Sequence, residues 1–309
     1  MTTTTETVTR PAIDAISGLR EGYAEVGDAV LHYVEAGEGP LVLLLHGFPE
    51  FWYGWREQIE PLVEAGLRVV APDLRGYNLS SRPGDFTDYT ADKLAADIRG
   101  LIHALGAESA MVVGHDWGGT AAWTLAMNHP EVVDRLAILN AAHPRRLNEG
   151  LHNPRQLLRT WYFFYFQTPK LPERRARRRH WRFFKRFLRD ARPRFSSEDL
   201  DRYVDAWSQP GAAKAMIDYY RAAVRLSSKQ GEIRPITAPT LVIWGQRDRY
   251  LGPKLAEPHH DDVPGLDRVE RLPDASHWVH HDEAERVNDL LVDFLTPARE
   301  DQDGRSATA

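Results

Sequence analysis

The 309-residue chain has no cysteine, which removes disulfides and cysteine metal sites from consideration. No apolar run approaches the roughly 20 residues of a membrane-spanning helix. The opening residues Met-Thr-Thr-Thr-Thr-Glu-Thr-Val-Thr-Arg show neither the basic start nor the apolar run of a signal peptide. A strong charge of one sign is missing too: the net charge is −5, with 27% charged and 42% hydrophobic residues. That balance offers nothing to a nucleic-acid partner. There is no internal repeat. These absences point to a soluble cytoplasmic protein of one large domain, or a core with an insert. The first ten residues and 300–309 are polar and small, and are expected to fray.

Short apolar segments are what the chain does have. Strands are expected at 29–35, 41–45, 68–72, 110–113, 135–140, 240–244 and 268–272, with helices at 55–65, 90–105 and 120–128 between them. Segment 41–45 is apolar throughout, as in a sheet covered on both faces. Such β–α alternation implies a mostly parallel sheet with helices on both sides. From about 144 to 235 strand signals vanish, and aromatic residues and arginines crowd together. The expected organisation is an α/β core in two parts, 1–143 and 236–309, with a helical cap at 144–235.

The informative stretch is Gly114-His115-Asp116-Trp117-Gly118-Gly119, between an expected strand and an expected helix. Strand, Gly-x-X-x-Gly, helix is the nucleophile elbow of the α/β-hydrolase fold, whose glycines let two backbones nearly touch. Serine is absent from its centre. Asp116 stands there, and a carboxylate ionised at neutral pH suits attack on a saturated carbon bearing an oxygen or halide leaving group. The ester so formed must be hydrolysed, which needs a histidine base, an acid to hold it and an oxyanion hole. Asp248 follows the strand ending at Trp244, and His277 follows the next strand, in the order nucleophile, acid, histidine. The backbone N–H groups of Trp117 and Phe48 are the expected oxyanion donors.

The segments His46-Gly47-Phe48-Pro49, Gly114 to Gly119, Gly245-x-x-Asp248 and His277-Trp278 resemble those of the α/β-hydrolase-fold epoxide hydrolases, over about residues 23–295. In 161–167 and 218–221 the resemblance implies two ring-opening tyrosines, Tyr162 and Tyr220, with Tyr165 and Tyr219 as neighbouring alternatives. It implies a small hydrophobic epoxide as substrate, a vicinal diol as product, and neither cofactor nor metal. His46, Pro49, His115 and Trp278, within the matched segments, are expected in the substrate pocket. Asn78 replaces a glycine common among relatives and tolerates left-handed backbone.

Other features read more plainly. A tyrosine in an aromatic run is ordinarily packing, and His280 and His281 read as helix-surface residues. His259-His260-Asp261-Asp262 is a poor metal site, because adjacent histidines seldom point at one ion. The basic stretch 174–194, with Asp190 as its single acid, places Trp181, Phe184 and Leu188 on one helix face. It reads as a solvated cap helix, an anionic partner or membrane surface being the sharper option. A haloalkane or fluoroacetate-type dehalogenase would share the nucleophile. The former commonly has a side-chain donor where Phe48 stands, and the latter an arginine where Trp117 stands. A ligand-binding protein is the remaining rival, since fold alone does not set function.

Overall fold

The computed structural model describes residues 18–226 and 231–296; both ends expected to fray lie outside them. Eight strands form one sheet: β1 (Arg20–Val26), β2 (Ala29–Ala36), β3 (Leu41–Leu45), β4 (Arg68–Pro72), β5 (Ala110–His115), β6 (Val133–Leu139), β7 (Thr240–Gly245) and β8 (Leu266–Leu272). Their order is β1-β2-β4-β3-β5-β6-β7-β8. Pairing is antiparallel from β1 to β2 and from β2 to β4, and parallel across the rest. The strand expected first, 29–35, is preceded by β1. Only Ala24 and Val26 of β1 are buried, so this edge strand lacks the apolar run that marks the central ones.

β3, β5 and β7 are buried along their whole length, because helices cover both faces of the sheet. Those helices include α1 (Arg56–Glu64), α2 (Ala91–Ala104) and α3 (Trp117–Asn128). The Thr90 side chain caps α2 by accepting from Lys93 N–H, and Leu94, Ile98, Leu101 and Ile102 bury its inner face. The chain leaves the sheet after β6 for seven helices: α4 (Pro144–Leu151), α5 (Pro154–Arg159), α6 (Trp161–Tyr165), α7 (Leu171–Arg177), α8 (Arg182–Leu188), α9 (Ser197–Ser208) and α10 (Ala212–Arg225). It returns through β7 and β8 and ends in α11 (Val279–Asp282) and α12 (Ala284–Leu295).

The basic stretch is not one helix. Arg179, His180 and Trp181 all have left-handed φ angles, 52°, 49° and 58°, which break the segment into α7 and α8. Trp181, Phe184 and Leu188 are nonetheless buried together, as their apolar character requires.

An ion pair pins the loop after β4. Arg75, 2% exposed, grips both carboxylate oxygens of Asp97 on α2 and also bonds the carbonyl of Asp88. Leaving one partner of such a pair buried alone costs more than the pair contributes. Arg75→Leu should therefore lower the unfolding free energy by about 3 kcal/mol in urea titration. A loss below about 1 kcal/mol would show that water or the nearby Lys93 compensates Asp97.

Candidate active site

β5 delivers Asp116 into a turn with φ 51° and ψ −117°, and α3 starts at the next residue. That conformation is costly for a side chain with a Cβ and persists only where the surroundings enforce it. Here they do. A Cβ on Gly118 would lie 2.1 Å from the carbonyl oxygen of Leu45, so α3 meets the end of β3 backbone to backbone. A Cβ on Gly47 would lie 2.4 Å from the Cβ of Asp116, which presses the loop after β3 against the carboxylate.

The carboxylate is held at both oxygens. Oδ1 accepts from Phe48 N–H at 2.9 Å, and Oδ2 lies 3.4 Å from Nε2 of His277. Trp117 N–H belongs to the first turn of α3, where no carbonyl within the helix is available to it. Nδ1 of His277 lies 2.7 Å from Oδ2 of Asp248, and the Asp248 Oδ1 accepts from Tyr250 and Leu251 N–H. Asn140, fully buried just past β6, donates its side-chain N–H to Asp248 Oδ2 at 2.8 Å while its side-chain Oδ1 accepts Gly245 N–H. Asn140 was not expected; its only sequence signal is its place at a strand's C-terminal end. Asp116, Asn140, Asp248 and His277 thus follow β5, β6, β7 and β8, four neighbouring parallel strands.

Charge follows from this geometry. Burial acts against ionisation of Asp116, but the hydrogen bond and charge of His277, aided by Phe48 N–H, hold its pKa below the ordinary aspartate value. Burial alone would depress His277; the Asp248 charge and the hydrogen bond to Asp116 overcome it and bring the pKa to about 10. At neutral pH the site therefore holds an imidazolium between two carboxylates.

Two phenols lie close to Asp116. Tyr162 on α6 and Tyr220 on α10 are 5% and 2% exposed, with ring centroids 5.5 Å apart. Tyr220 packs edge-on against Phe48 and Trp117, the two residues flanking the Asp116 carboxylate. Burial first, and the charge of Asp116 second, push both phenols well above the ordinary tyrosine value, so they stay protonated donors. The neighbouring alternatives point elsewhere. Tyr219 donates to the carbonyl of Arg75, and Tyr165 packs on Trp161, Phe166 and Phe183 with Arg175 over its ring.

The four residues expected to line the pocket also hold the loops around it. His46 accepts Leu74 N–H, His115 bonds the carbonyl of His277, Trp278 donates to the carbonyl of Phe187, and the Pro49 carbonyl accepts from Trp207. His46 and His115 have no exposed surface; both ring nitrogens of His46 and Nε2 of His115 are engaged in holding loops. The rings beside the phenols are Phe163, Phe166 and Phe187.

His280 and His281, expected on the surface, are buried around Glu50. Both Nε2 atoms reach its carboxylate, at 3.1 and 2.8 Å, and Tyr203 of α9 donates to it at 2.7 Å. Burial pushes both imidazoles below the ordinary histidine range, so they act as neutral donors to the carboxylate. Among the described residues, Glu50, His115 and His280 are the group whose donor atoms lie close enough to share an ion, but both Glu50 oxygens already accept hydrogen bonds. His259 pairs with Glu149 and Asp262 with Arg145, which separates the two ends of the 259–262 cluster.

This geometry is one that a hydrolase with a carboxylate nucleophile would need, and comparison with known proteins shows the family. The model of the alpha/beta hydrolase fold family matches residues 40–284. Epoxide hydrolase 4 of Mus musculus is 37% identical over 88% of this chain and 79% of its own length. AB hydrolase superfamily protein YfhM of Bacillus subtilis (strain 168) is 42% identical over 91% of this chain and 99% of its own. The crystal structure of an epoxide hydrolase from Bacillus megaterium superposes with a TM-score of 0.81 at 32% identity, covering 89% of this chain and 99% of that one. The chain belongs to the epoxide hydrolases of the α/β-hydrolase fold.

The imidazolium reading has a direct check. Asp248→Asn removes the larger of the two carboxylate contributions, so the His277 titration midpoint, followed by NMR, should fall by at least about one unit. Because the folded-state pKa is raised, the stabilisation it brings is complete below the unfolded value of about 6.5 and is lost as pH rises through the folded one. The melting temperature of the wild-type protein should fall more steeply than that of Asp248→Asn between neutral pH and about pH 10. Parallel curves would place the proton elsewhere.

Proposed function

We propose that this protein is an epoxide hydrolase that adds water to a small hydrophobic epoxide through a covalent ester on Asp116. The observation that carries the reading is the pairing of an elbow carboxylate with two buried phenols above it. Asp116 attacks a ring carbon from the side opposite the breaking C–O bond. Electrons move onto the ring oxygen, and Tyr162 and Tyr220 hydrogen-bond the developing alkoxide and supply its proton. The helical insertion serves as the cap, covering 144–235 between core segments 1–143 and 236–309, and its role is to bring those phenols down.

Alkylation also switches the base. Once Asp116 is an uncharged ester, His277 has lost one of the two carboxylates that hold its proton, and its pKa falls. The proton returns to the phenols by way of solvent, leaving a neutral imidazole oriented by Asp248. That imidazole takes a proton from water as the water attacks the ester carbonyl, while Phe48 and Trp117 N–H hold the oxyanion. Collapse expels the diol and restores the carboxylate. The chemistry uses neither cofactor nor metal, and by consuming electrophilic epoxides it suits a detoxifying role in the cytoplasm.

Product analysis with styrene oxide and a short bromoalkane, offered in parallel, tests this. Diol without bromide is the expected result; bromide without diol would transfer the assignment to a dehalogenase. Tyr162→Phe with Tyr220→Phe should lower turnover of the epoxide by roughly 10³-fold with the melting temperature little changed. Full activity in that double variant would remove the phenols from the mechanism.

A further inference from the structure

The outer face of the helical insertion is built differently from the rest of the surface. Leu158, Trp161, Phe164 and Leu171 are 75%, 47%, 58% and 53% exposed and succeed one another along α5, α6 and the start of α7. Among the described residues the other large hydrophobics of this exposure are Tyr23 and Val30, on β1 and β2. Residues 155–194 also contain fourteen lysines and arginines against two acids, in a chain whose net charge is −5. Both acids are engaged, Glu173 by Arg221 and Asp190 by Arg189 and Arg249. Arg174, Arg177, Arg178, Arg182 and Arg186 are exposed and have no carboxylate of their own among the described residues. The two features are continuous: the Arg175 guanidinium lies over the rings of Tyr165 and Phe183, and Tyr165 packs beside Trp161.

We propose that this face docks on an anionic lipid bilayer. A merely solvated face would not keep two leucines, a tryptophan and a phenylalanine in water. A polyanion such as RNA would use the arginines but give the leucines nothing to enter. The interface of a bilayer satisfies both, taking apolar side chains at the acyl boundary and arginines at the phosphates. α6 then presents Trp161 and Phe164 to lipid and Tyr162 to the protein interior, so a docked molecule holds its candidate site one helix away from the acyl chains. The docking itself does not depend on the catalytic assignment.

Flotation of the full-length protein with vesicles of phosphatidylcholine, alone or with about one-third phosphatidylglycerol, tests the proposal at low and high salt. Recovery with the anionic vesicles at low salt, lost at high salt and absent with phosphatidylcholine alone, is expected. The triple variant Arg177→Gln, Arg178→Gln, Arg182→Gln should weaken binding by roughly fivefold per charge. Leu158→Ser with Phe164→Ser should weaken it at least about tenfold, with unchanged melting because both side chains are exposed. No recovery with anionic vesicles at low salt would overturn the proposal. So would undiminished binding by the Leu158→Ser, Phe164→Ser variant, which would make the face a general polyanion surface. Self-association of the wild type that this same pair abolishes would put a second copy on the face, and would overturn it as well.

Discussion

The site depends on how closely three backbones approach at Asp116. Because α3 starts where the Gly118 backbone meets the Leu45 carbonyl, the turn between β5 and α3 has no room to relax. Asp116 is held at a positive φ and its carboxylate is carried to the Phe48 N–H. The unfavourable backbone is sustained by packing on all sides, as strained functional residues require. A looser turn would let the carboxylate retreat from the donors on which its low pKa depends.

The parallel sheet extends that local constraint to the whole site. Chemistry at the C-terminal ends of neighbouring strands follows from their shared direction, and here four in succession each contribute one residue. The result is a buried proton between Asp116 and Asp248 whose affinity depends on whether Asp116 is charged. Asp116 and His277 are therefore coupled electrostatically. The coupling needs burial, since water would screen it.

Part of the joint between the helical insertion and the core is made at the loop after β3. Tyr203 reaches Glu50, Trp207 reaches the Pro49 carbonyl, and Tyr53 donates to Asp199. The same loop supplies Phe48, so the contacts that seat the insertion also brace the N–H that holds Asp116. Glu50 with His280 and His281 ties this loop to α11, close behind His277. These polar groups are buried and mutually hydrogen-bonded, which favours one fixed arrangement of the two parts.

Much of this was legible in the chain itself. The apolar runs of β3, β5 and β7, the glycines of the elbow and the order of Asp116, Asp248 and His277 follow from local patterns, because a covered strand must be apolar and a tight turn must lack Cβ atoms. The edge strand β1 was not, since an edge buries too little to leave a pattern. Tertiary structure alone decided which tyrosine lies beside Asp116: Tyr219 and Tyr220 are adjacent, and helix rotation sends one to the Arg75 carbonyl and the other to Phe48 and Trp117. It also set His46 and His115 to hold loops, brought Asn140 to Asp248 and buried His280 and His281 on Glu50. Such assignments depend on side-chain direction and, for His115, Asn140, His280 and His281, on partners more than a hundred residues away, and no local pattern in a sequence encodes either.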